Sequence, residues 1–371
     1  MKITFPHMGN TFISAKALLD DIGVECIIPP YNNKKTLEIG TKHAPEMVCL
    51  PLKINLGNYI QAHELGADTI LITGGRGPCR FGYYCEMSKE ILADASYNME
   101  VITLDGPNGN MKEFLERIKK LAGGFNVYKI LKVIKNTTIV SKRVDEIEKL
   151  TYKIRPRELI KGSTDKVYKT MLNKVRKVNG SREILQLLSE TKKQLMEIEI
   201  DKELIPLKVG IVGEIYTTID PFANFHIDFI LGNMGVEVDR AVTVSGWIIE
   251  HMLKNILPTK KDLRYRQAAE PYLGRMIGGH AQETLGNTVL YAKNGFDGVV
   301  QIYPLTCMPE IVAQSILPSI ERDYDISILT LIIDEMTGEA GYMTRIEAFV
   351  DLLNKRRERF EVGKNVALFR S

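Results

Sequence analysis

The sequence predicts an α/β protein with two parallel-sheet domains, residues 1–125 and 206–371, joined by a helical insertion at 126–205. Three observations lead to this prediction. Short runs rich in β-branched residues alternate with segments of helical periodicity in both outer zones, which is typical of βαβ units and a parallel sheet. The middle zone lacks such runs, and its apolar residues recur at helical spacing. The chain has 371 residues, more than one domain of about 100–200 residues usually contains.

Each outer zone contains four predicted strands. In the first zone, strands are predicted at 1–5, 25–28, 68–73 and 100–104, and helices at 12–22, 57–65, 87–95 and 111–121. In the last zone, strands are predicted at 208–213, 236–241, 298–302 and 328–333, and helices at 226–233, 247–254, within 276–294, at 310–317 and at 344–357. The two zones are therefore candidates for distant copies of one plan.

The composition excludes several classes of protein. Hydrophobic residues make up 44% and charged residues 26% of the chain, which is typical of globular proteins and not of disordered ones. A net charge of +3 gives no reason to expect a nucleic-acid partner. Five cysteines are too few for a disulfide framework. We see no signal-peptide pattern and no apolar run long enough to span a membrane, so we expect a cytoplasmic protein with reduced thiols.

The middle zone concentrates positive charge. Residues 129–205 contain 19 Lys and Arg against 11 Asp and Glu, a net charge of +8. A solvated helical face is the simpler interpretation of such a mixed charge run. A docking surface for an acidic partner is the alternative.

Four cysteines lie in segments rich in Gly and Pro. Cys49 occurs in PEMVCLPLK, Cys79 and Cys85 occur in TGGRGPCRFGYYCEM, and Cys307 occurs in IYPLTCMPE. The last three follow predicted strands, where open parallel sheets bind their ligands. Because these cysteines come from both α/β zones, they predict a site at the domain interface. Cys26 lies within a predicted strand and is interpreted as a core residue.

A metal cluster is one interpretation of these cysteines. Pro309 can occupy the first turn of the next helix, so Cys307 would lie near a helix N-terminus, which favours a thiolate; the same holds for Cys85. Gaps of 30, 6 and 222 residues between the four cysteines do not resemble the paired cysteines of a zinc site. Thiolates without an obvious His favour iron–sulfur chemistry. Buried core cysteines remain an alternative, and a cysteine nucleophile is a weaker one.

Polar residues follow other predicted strands. Glu214 and Tyr216 lie in VGEIYTTIDPF, and Asp334 and Glu335 lie in DEMTGEAGYMTR with Arg345 in the next helix. They are candidates to line a cavity, with Arg345 pairing a carboxylate. Helix capping and an inter-domain ion pair are the simpler interpretation.

Two further motifs contain several glycines. His280, in IGGHAQET, could donate a proton, although a capping histidine is the simpler interpretation. GGRGPCRFG does not match a nucleotide-binding motif, so any use of ATP would need a partner.

At these motifs the sequence resembles the small subunits of 2-hydroxyacyl-CoA dehydratases and the related activase-associated and double-cubane-cluster proteins. The segments that carry the resemblance are PHMGN (6–10), APEMVCLPLKINLGN (44–58), GADTILITGGRGPCRFGYY (66–84), VGEIYTTIDPFAN (212–224), GGHAQET (278–284), DGVVQIYPLTCMPEIVAQSILP (297–318) and DEMTGEAGYMTRIEAFVDLL (334–353). The middle zone contributes little to it.

The resemblance implies two Rossmann-like domains that hold an iron–sulfur cluster between them. It implies Cys49, Cys79 and Cys307 as cluster ligands, with Cys85 as a fourth. The chain has fewer cysteines than a double-cubane cluster requires, so a single 4Fe-4S cluster is expected. The residues expected around this cluster are Lys53, Gly77, Arg80, Glu214, Tyr216, His280, Glu310, Asp334, Glu335 and Arg345.

The resemblance also implies an ATP-hydrolysing activase that supplies low-potential electrons, and a homo- or heterodimer. In the dehydratases the electron forms a ketyl radical on the acyl-CoA thioester, and water is then eliminated. We therefore expect an oxygen-sensitive, low-potential reductase or electron-transfer component that the activase reduces. The alternatives are a catalytic subunit of a 2-hydroxyacyl-CoA dehydratase and a non-catalytic scaffold or assembly protein for activase-type partners.

Overall fold

The computed structural model describes residues 1–72, 79–104, 111–124, 127–249 and 264–368. Two four-stranded sheets, both entirely parallel, form its framework. The fold class predicted from the sequence, an α/β protein with two Rossmann-like parallel sheets, is confirmed.

The first sheet belongs to the N-terminal part of the chain and has the strand order β2-β1-β3-β4. Its elements, with the helices between them, are β1 (Lys2–Thr4), α1 (Thr11–Ile22), β2 (Glu25–Cys26), α2 (Lys34–His43), α3 (Leu50–Glu64), β3 (Thr69–Ile72), a 3-10 turn (Arg80–Tyr83), α4 (Tyr84–Asp94), β4 (Glu100–Thr103) and α5 (Met111–Ala122).

The second sheet has the strand order β6-β5-β7-β8. Its elements and helices are β5 (Leu207–Gly213), α9 (Ile215–Ile219), α10 (Ile227–Asn233), β6 (Val236–Arg240), α11 (Val244–Trp247), α12 (Arg264–Ala269), α13 (Ala281–Lys293), β7 (Gly298–Pro304), α14 (Met308–Tyr324), β8 (Ser327–Ile333) and α15 (Glu339–Leu368). The order is that of the first sheet, so β1, β2, β3 and β4 correspond to β5, β6, β7 and β8.

This shared order fixes where a site can form. In each sheet the order of the strands reverses between the first and third strands. The crevice at the carboxyl ends of these two strands is where such sheets bind ligands. The strands that border the crevice end at Thr4 and Ile72 in the first sheet and at Gly213 and Pro304 in the second. Cys79 and Cys307 therefore follow equivalent strands, β3 and β7, of the two sheets.

The middle zone is helical, as its periodicity predicts. Its elements are α6 (Val127–Ile154), a 3-10 turn (Arg155–Arg157), α7 (Ser163–Val175) and α8 (Gly180–Met196). Residues of all three helices share a buried cluster with β1 and α1, including Val144, Val175, Leu188, Ile3 and Phe12.

Helix α6 also reaches the second sheet, because Tyr152 lies in the core cluster of that domain. The middle helices thus bridge the two sheets through apolar contacts and do not form a purely solvated face.

The sequence prediction differs from the structure mainly before β3. Helix α3 begins at Leu50 and not at residue 57, and nearly all of its side chains are buried, so no polar stripe marks its length. Helix α2 was missed. It begins after a capping box formed by Asn33 and Thr36. Helices α2 and α3 cross closely at Gly40 and Gly57, which have no side chains to keep the two backbones apart. Residues 250–254 of the helix predicted at 247–254 lie outside the described residues.

Within the described ranges, no helix combines the length and the apolar composition that crossing a membrane requires.

Candidate functional site

Three of the four candidate cysteines occupy the same local position, immediately before a helical segment. Cys49 precedes α3, Cys79 precedes the 3-10 turn at Arg80–Tyr83, and Cys307 precedes α14. The carbonyl oxygens of Cys49 and Cys307 accept the first helical hydrogen bonds, at 3.1 and 3.0 Å. A proline in the first turn fits both helices because it has no N–H to donate there. Free N–H groups at such positions favour negative charge on a nearby sulfur.

These three thiols come from distant parts of the chain, and Cys49 lies near both Cys79 and Cys307. Burial is the main cause that raises the pKa of Cys49 to about 12; the nearby Glu214 and Cys79 contribute to this rise, whereas the Tyr84 hydroxyl and Arg80 oppose it. Burial raises the pKa of Cys307 still more, with Glu214, Glu310 and Cys49 adding to the shift. Burial also raises the pKa of Cys79. Without a bound cation, the chain therefore keeps these converging thiols protonated.

The chemistry of this donor set fits an iron–sulfur cluster. Metal ions bind thiolates and displace their protons, so a cation among these three thiols would stabilise their deprotonated forms. Among the described residues, no group of three or more His, Cys, Asp or Glu side chains has the arrangement of a metal-ion site. A four-iron cluster takes its thiolates around a larger inorganic core. Cys49, Cys79 and Cys307 are thus the residues that could hold one.

Arg80 links the loops that carry the three cysteines. Its Nη2 donates to the carbonyl oxygen and to the hydroxyl of Thr306, both at 2.9 Å, and its Nη1 donates to the carbonyl oxygen of Met47 at 3.3 Å. Thr306 precedes Cys307, and Met47 lies two residues before Cys49. Tyr84, which the sequence reasoning missed, contributes a hydroxyl that hydrogen-bonds the Cys49 sulfur.

Cys85 differs from the other three in its position relative to a helix, although Cys49 packs against the same buried cluster. The sequence predicts Cys85 in a loop ahead of a helix. In the structure Cys85 lies inside the first turn of α4. Its thiol is directed at the Gly82 carbonyl oxygen, 3.8 Å away, and it belongs to a buried cluster with Tyr59 and Ile72. Cys26 packs at the edge of the core around α1, and burial raises its pKa to about 12.

Two carboxylates lie near the thiols: Glu214 is close to all three, and Glu310 is close to Cys307. Glu214 precedes α9, and its side chain accepts hydrogen bonds from the backbone N–H groups of Tyr216 and Thr217 at 2.9 and 3.0 Å. Glu310 is fully buried in the first turn of α14. Gln301 and Thr284 donate to its carboxyl group, each at 3.0 Å. Burial raises the pKa of Glu310 to about 7.

The remaining predicted residues have mostly structural contacts. Lys53 of α3 forms an ion pair with Glu335, which follows β8, so the expected inter-domain ion pair exists. Asp334 accepts from the backbone of Met336 at 3.0 Å and stabilises a turn. Arg345 was expected to pair a carboxylate, but it donates to the Thr330 carbonyl oxygen.

His280 precedes α13 and lies 3.7 Å from Glu283. A Cβ at the adjoining Gly279 would lie 2.7 Å from Pro309, which puts this loop beside the start of α14. Gly77 and the other residues of 73–78 lie outside the described residues.

The anion-binding positions of both sheets are filled by carboxylates of the protein itself. In the first sheet, the Gly9 N–H donates to Asp220 Oδ2 at 3.0 Å, and in the second, Glu214 occupies the equivalent position. Asp220 also accepts from Asn32 at 2.7 Å, and Tyr216 donates to the His7 carbonyl oxygen at 2.9 Å. The contacts of Asp220 and Tyr216 join the two domains.

A family described as "CoA enzyme activase uncharacterised domain (DUF2229)" matches residues 7–241. The chain belongs to this family. The match covers the first sheet beyond β1, the middle helices and strands β5 and β6, and therefore includes Cys49, Cys79 and Cys85 but not Cys307. It agrees with the activase-associated, 2-hydroxyacyl-CoA dehydratase-like superfamily indicated by the motifs. A search of curated proteins found no match.

Proposed function

We propose that this protein is an iron–sulfur protein that accepts low-potential electrons from an ATP-hydrolysing CoA-enzyme activase. The observation that carries the proposal is the convergence of Cys49, Cys79 and Cys307 from three loops of two domains. Membership in a CoA-enzyme activase family supports the choice of partner. A 4Fe-4S cluster would supply one-electron redox chemistry at this position.

The residues of the chain would do three things for such a cluster. Cys49, Cys79 and Cys307 would bind iron as thiolates, because metal binding releases their protons. The Tyr84 hydroxyl would donate to the Cys49 sulfur, and hydrogen bonds to ligand sulfurs raise a cluster's reduction potential. The carboxylate of Glu214 lies near all three thiols and would oppose addition of an electron. ATP hydrolysis by the partner would then be needed to drive that addition.

Iron analysis of cysteine variants tests this proposal. The protein, purified without oxygen and reconstituted with iron and sulfide, is expected to be brown and to bind about four irons per chain. Cys49→Ala and Cys307→Ala should lose most of this iron, whereas the matched control Cys26→Ala should keep it. Equal iron in all three variants would show that the ligand assignment is wrong. Colourless protein with stoichiometric zinc would exclude a redox function.

The environment of Cys85 favours a second candidate function, a catalytic subunit of a 2-hydroxyacyl-CoA dehydratase. Its thiol lies within α4 and is directed at the Gly82 carbonyl oxygen, so the ligand set would be three thiolates. Three thiolates would leave one iron of a cubane open, so a protein that accepts electrons from the activase would also be able to bind a substrate there. Cys85→Ala should then keep its iron. Release of water from a 2-hydroxyacyl-CoA, in the presence of activase and ATP, would distinguish this candidate from electron transfer alone.

A further inference from the structure

We infer that Arg80 is a positioning residue, a three-way clamp that holds the loops of Cys49, Cys79 and Cys307 in register across the domain interface. The inference rests on the proposed function in that these thiols are taken to be the ligands. The clamp itself is a property of the chain without any cluster.

The contacts of Arg80 reach each loop. Arg80 follows Cys79 directly, so its own backbone carries the first loop. Its Nη1 binds the Met47 carbonyl oxygen in the loop before Cys49, and its Nη2 binds Thr306 twice in the loop before Cys307. A guanidinium group presents several N–H donors in a rigid plane, so one side chain can serve three acceptors at fixed angles.

The backbone of Thr306 shows why a clamp is needed there. Thr306 has a φ of +70°, a left-handed conformation that is unfavourable for a β-branched residue. Such a residue persists only where its surroundings over-determine it. Arg80 binds both the carbonyl oxygen and the hydroxyl of Thr306, and the next residue is Cys307. The clamp therefore holds the strained peptide that orients the Cys307 sulfur.

Arg80 also carries a positive charge close to two of these thiols, those of Cys49 and Cys79. The positive charge of the guanidinium group lowers the pKa of Cys49 and Cys79, whereas burial raises the pKa of both. Since Arg80 could act through charge alone, the experiment has to separate charge from geometry. Arg80→Lys keeps the charge but loses the planar fork, and Arg80→Gln loses both.

Hydrogen exchange of the metal-free chain measures the clamp directly. The reporter is the Cys307 amide, which donates to the Pro304 carbonyl oxygen at 3.1 Å. We expect this amide to exchange about tenfold faster in both Arg80→Gln and Arg80→Lys, the change expected when a hydrogen bond of a charged group is lost. A wild-type rate in Arg80→Lys would overturn the positioning role. Circular dichroism checks that the variants, changed at an exposed side chain, are folded.

A matched control is available in Arg356. It donates to the carbonyl oxygen of Asp325 at 2.8 Å, and Asp325 is also a left-handed residue, with a φ of +49°. Asp325 precedes β8 and therefore lies at the end of the sheet opposite to the end that Cys307 follows. Arg356→Gln should leave exchange at Cys307 unchanged. If it accelerates that amide as much as Arg80→Gln does, the clamp is a general stability effect and the inference fails.

A rescue variant tests the strain argument. Glycine adopts positive φ without steric cost, so Thr306→Gly in the Arg80→Gln chain should slow exchange at Cys307 again. A double variant that exchanges no more slowly than Arg80→Gln would overturn this part of the inference. Because exchange is measured without metal, wild-type protein that binds no iron would refute the proposed function while leaving the clamp intact.

Discussion

Acid should destabilise this protein through one buried histidine. The His7 side chain is 1% exposed, and its Nδ1 has no hydrogen-bond partner among the described residues. The nearest polar contact of Nε2 is a guanidinium nitrogen of Arg176, 3.5 Å away. Burial, followed by the charge of Arg176, lowers the pKa of His7 from 6.5 to about 3. The folded protein therefore holds His7 neutral.

The direction of the pH effect follows from proton binding. Between pH 6.5 and about 3 the unfolded chain binds a proton at His7 that the folded chain does not bind. The unfolding free energy consequently falls as the pH falls, and the contribution of neutral His7 is fully present above pH 6.5. Each pH unit in this range costs about 1.4 kcal/mol, so the loss at about pH 4.5 is about 3 kcal/mol.

His7→Phe isolates this contribution. The phenylalanine ring can keep the stacked contact with Phe12 and the edge-on contact with Tyr31, whose centroids lie 5.3 and 5.0 Å from the imidazole, but it does not titrate. In urea unfolding of the metal-free chain at about pH 7.5 and about pH 4.5, wild type should lose about 3 kcal/mol more than His7→Phe. Tyr31→Phe, a change in the same cluster that leaves His7 in place, should behave as wild type. Equal losses in wild type and His7→Phe would refute the reasoning.

Two substitutions test other parts of the framework by urea unfolding at neutral pH. A Cβ at Gly57 would lie 1.9 Å from the Thr36 carbonyl oxygen, so Gly57→Ala should cost about 3 kcal/mol through overpacking of α2 on α3. Gly341→Ala, in the exposed first turn of α15 with no atom within 4 Å, should instead gain about 1 kcal/mol; similar effects of the two would contradict the close crossing. Glu148 and Arg240 form a buried ion pair between α6 and β6, so Glu148→Gln should cost about 3–5 kcal/mol by removing the carboxylate that interacts most strongly with Arg240. A loss below about 1 kcal/mol, as for an exposed pair, would show that this contact does not join the middle helices to the second sheet.

The local features of the site were predictable from the sequence. A cysteine followed by a proline two residues later, as at Cys49 and Cys307, places the thiol before a helix because proline is compatible with the first helical turn. The strands before Cys79 and Cys307 were recognisable from their β-branched runs. Cys85 was misplaced because residues 79–85 contain no proline or capping residue that marks where α4 begins.

The contacts that assemble the site were not predictable. Arg80 and Thr306 are 226 residues apart, and Lys53 and Glu335 are 282 residues apart. A charged side chain in a sequence has many possible partners, and only the packing of two sheets selects one. The start of helix α3 was also not predictable, because burial on all sides removes the periodicity that marks a surface helix.

The sequence by itself determined the elements: alternating strands and helices, a helical middle zone, and cysteines placed where strands end. These follow from interactions between residues near one another in the chain, such as hydrophobic periodicity and the conformational limits of proline and glycine. The tertiary structure alone decided which loops meet, that Arg80 joins three of them, and that Asp220 and Glu214 fill the anion positions of the two sheets. Those outcomes depend on how the two sheets and the bridging helices pack, which is a property of the whole chain.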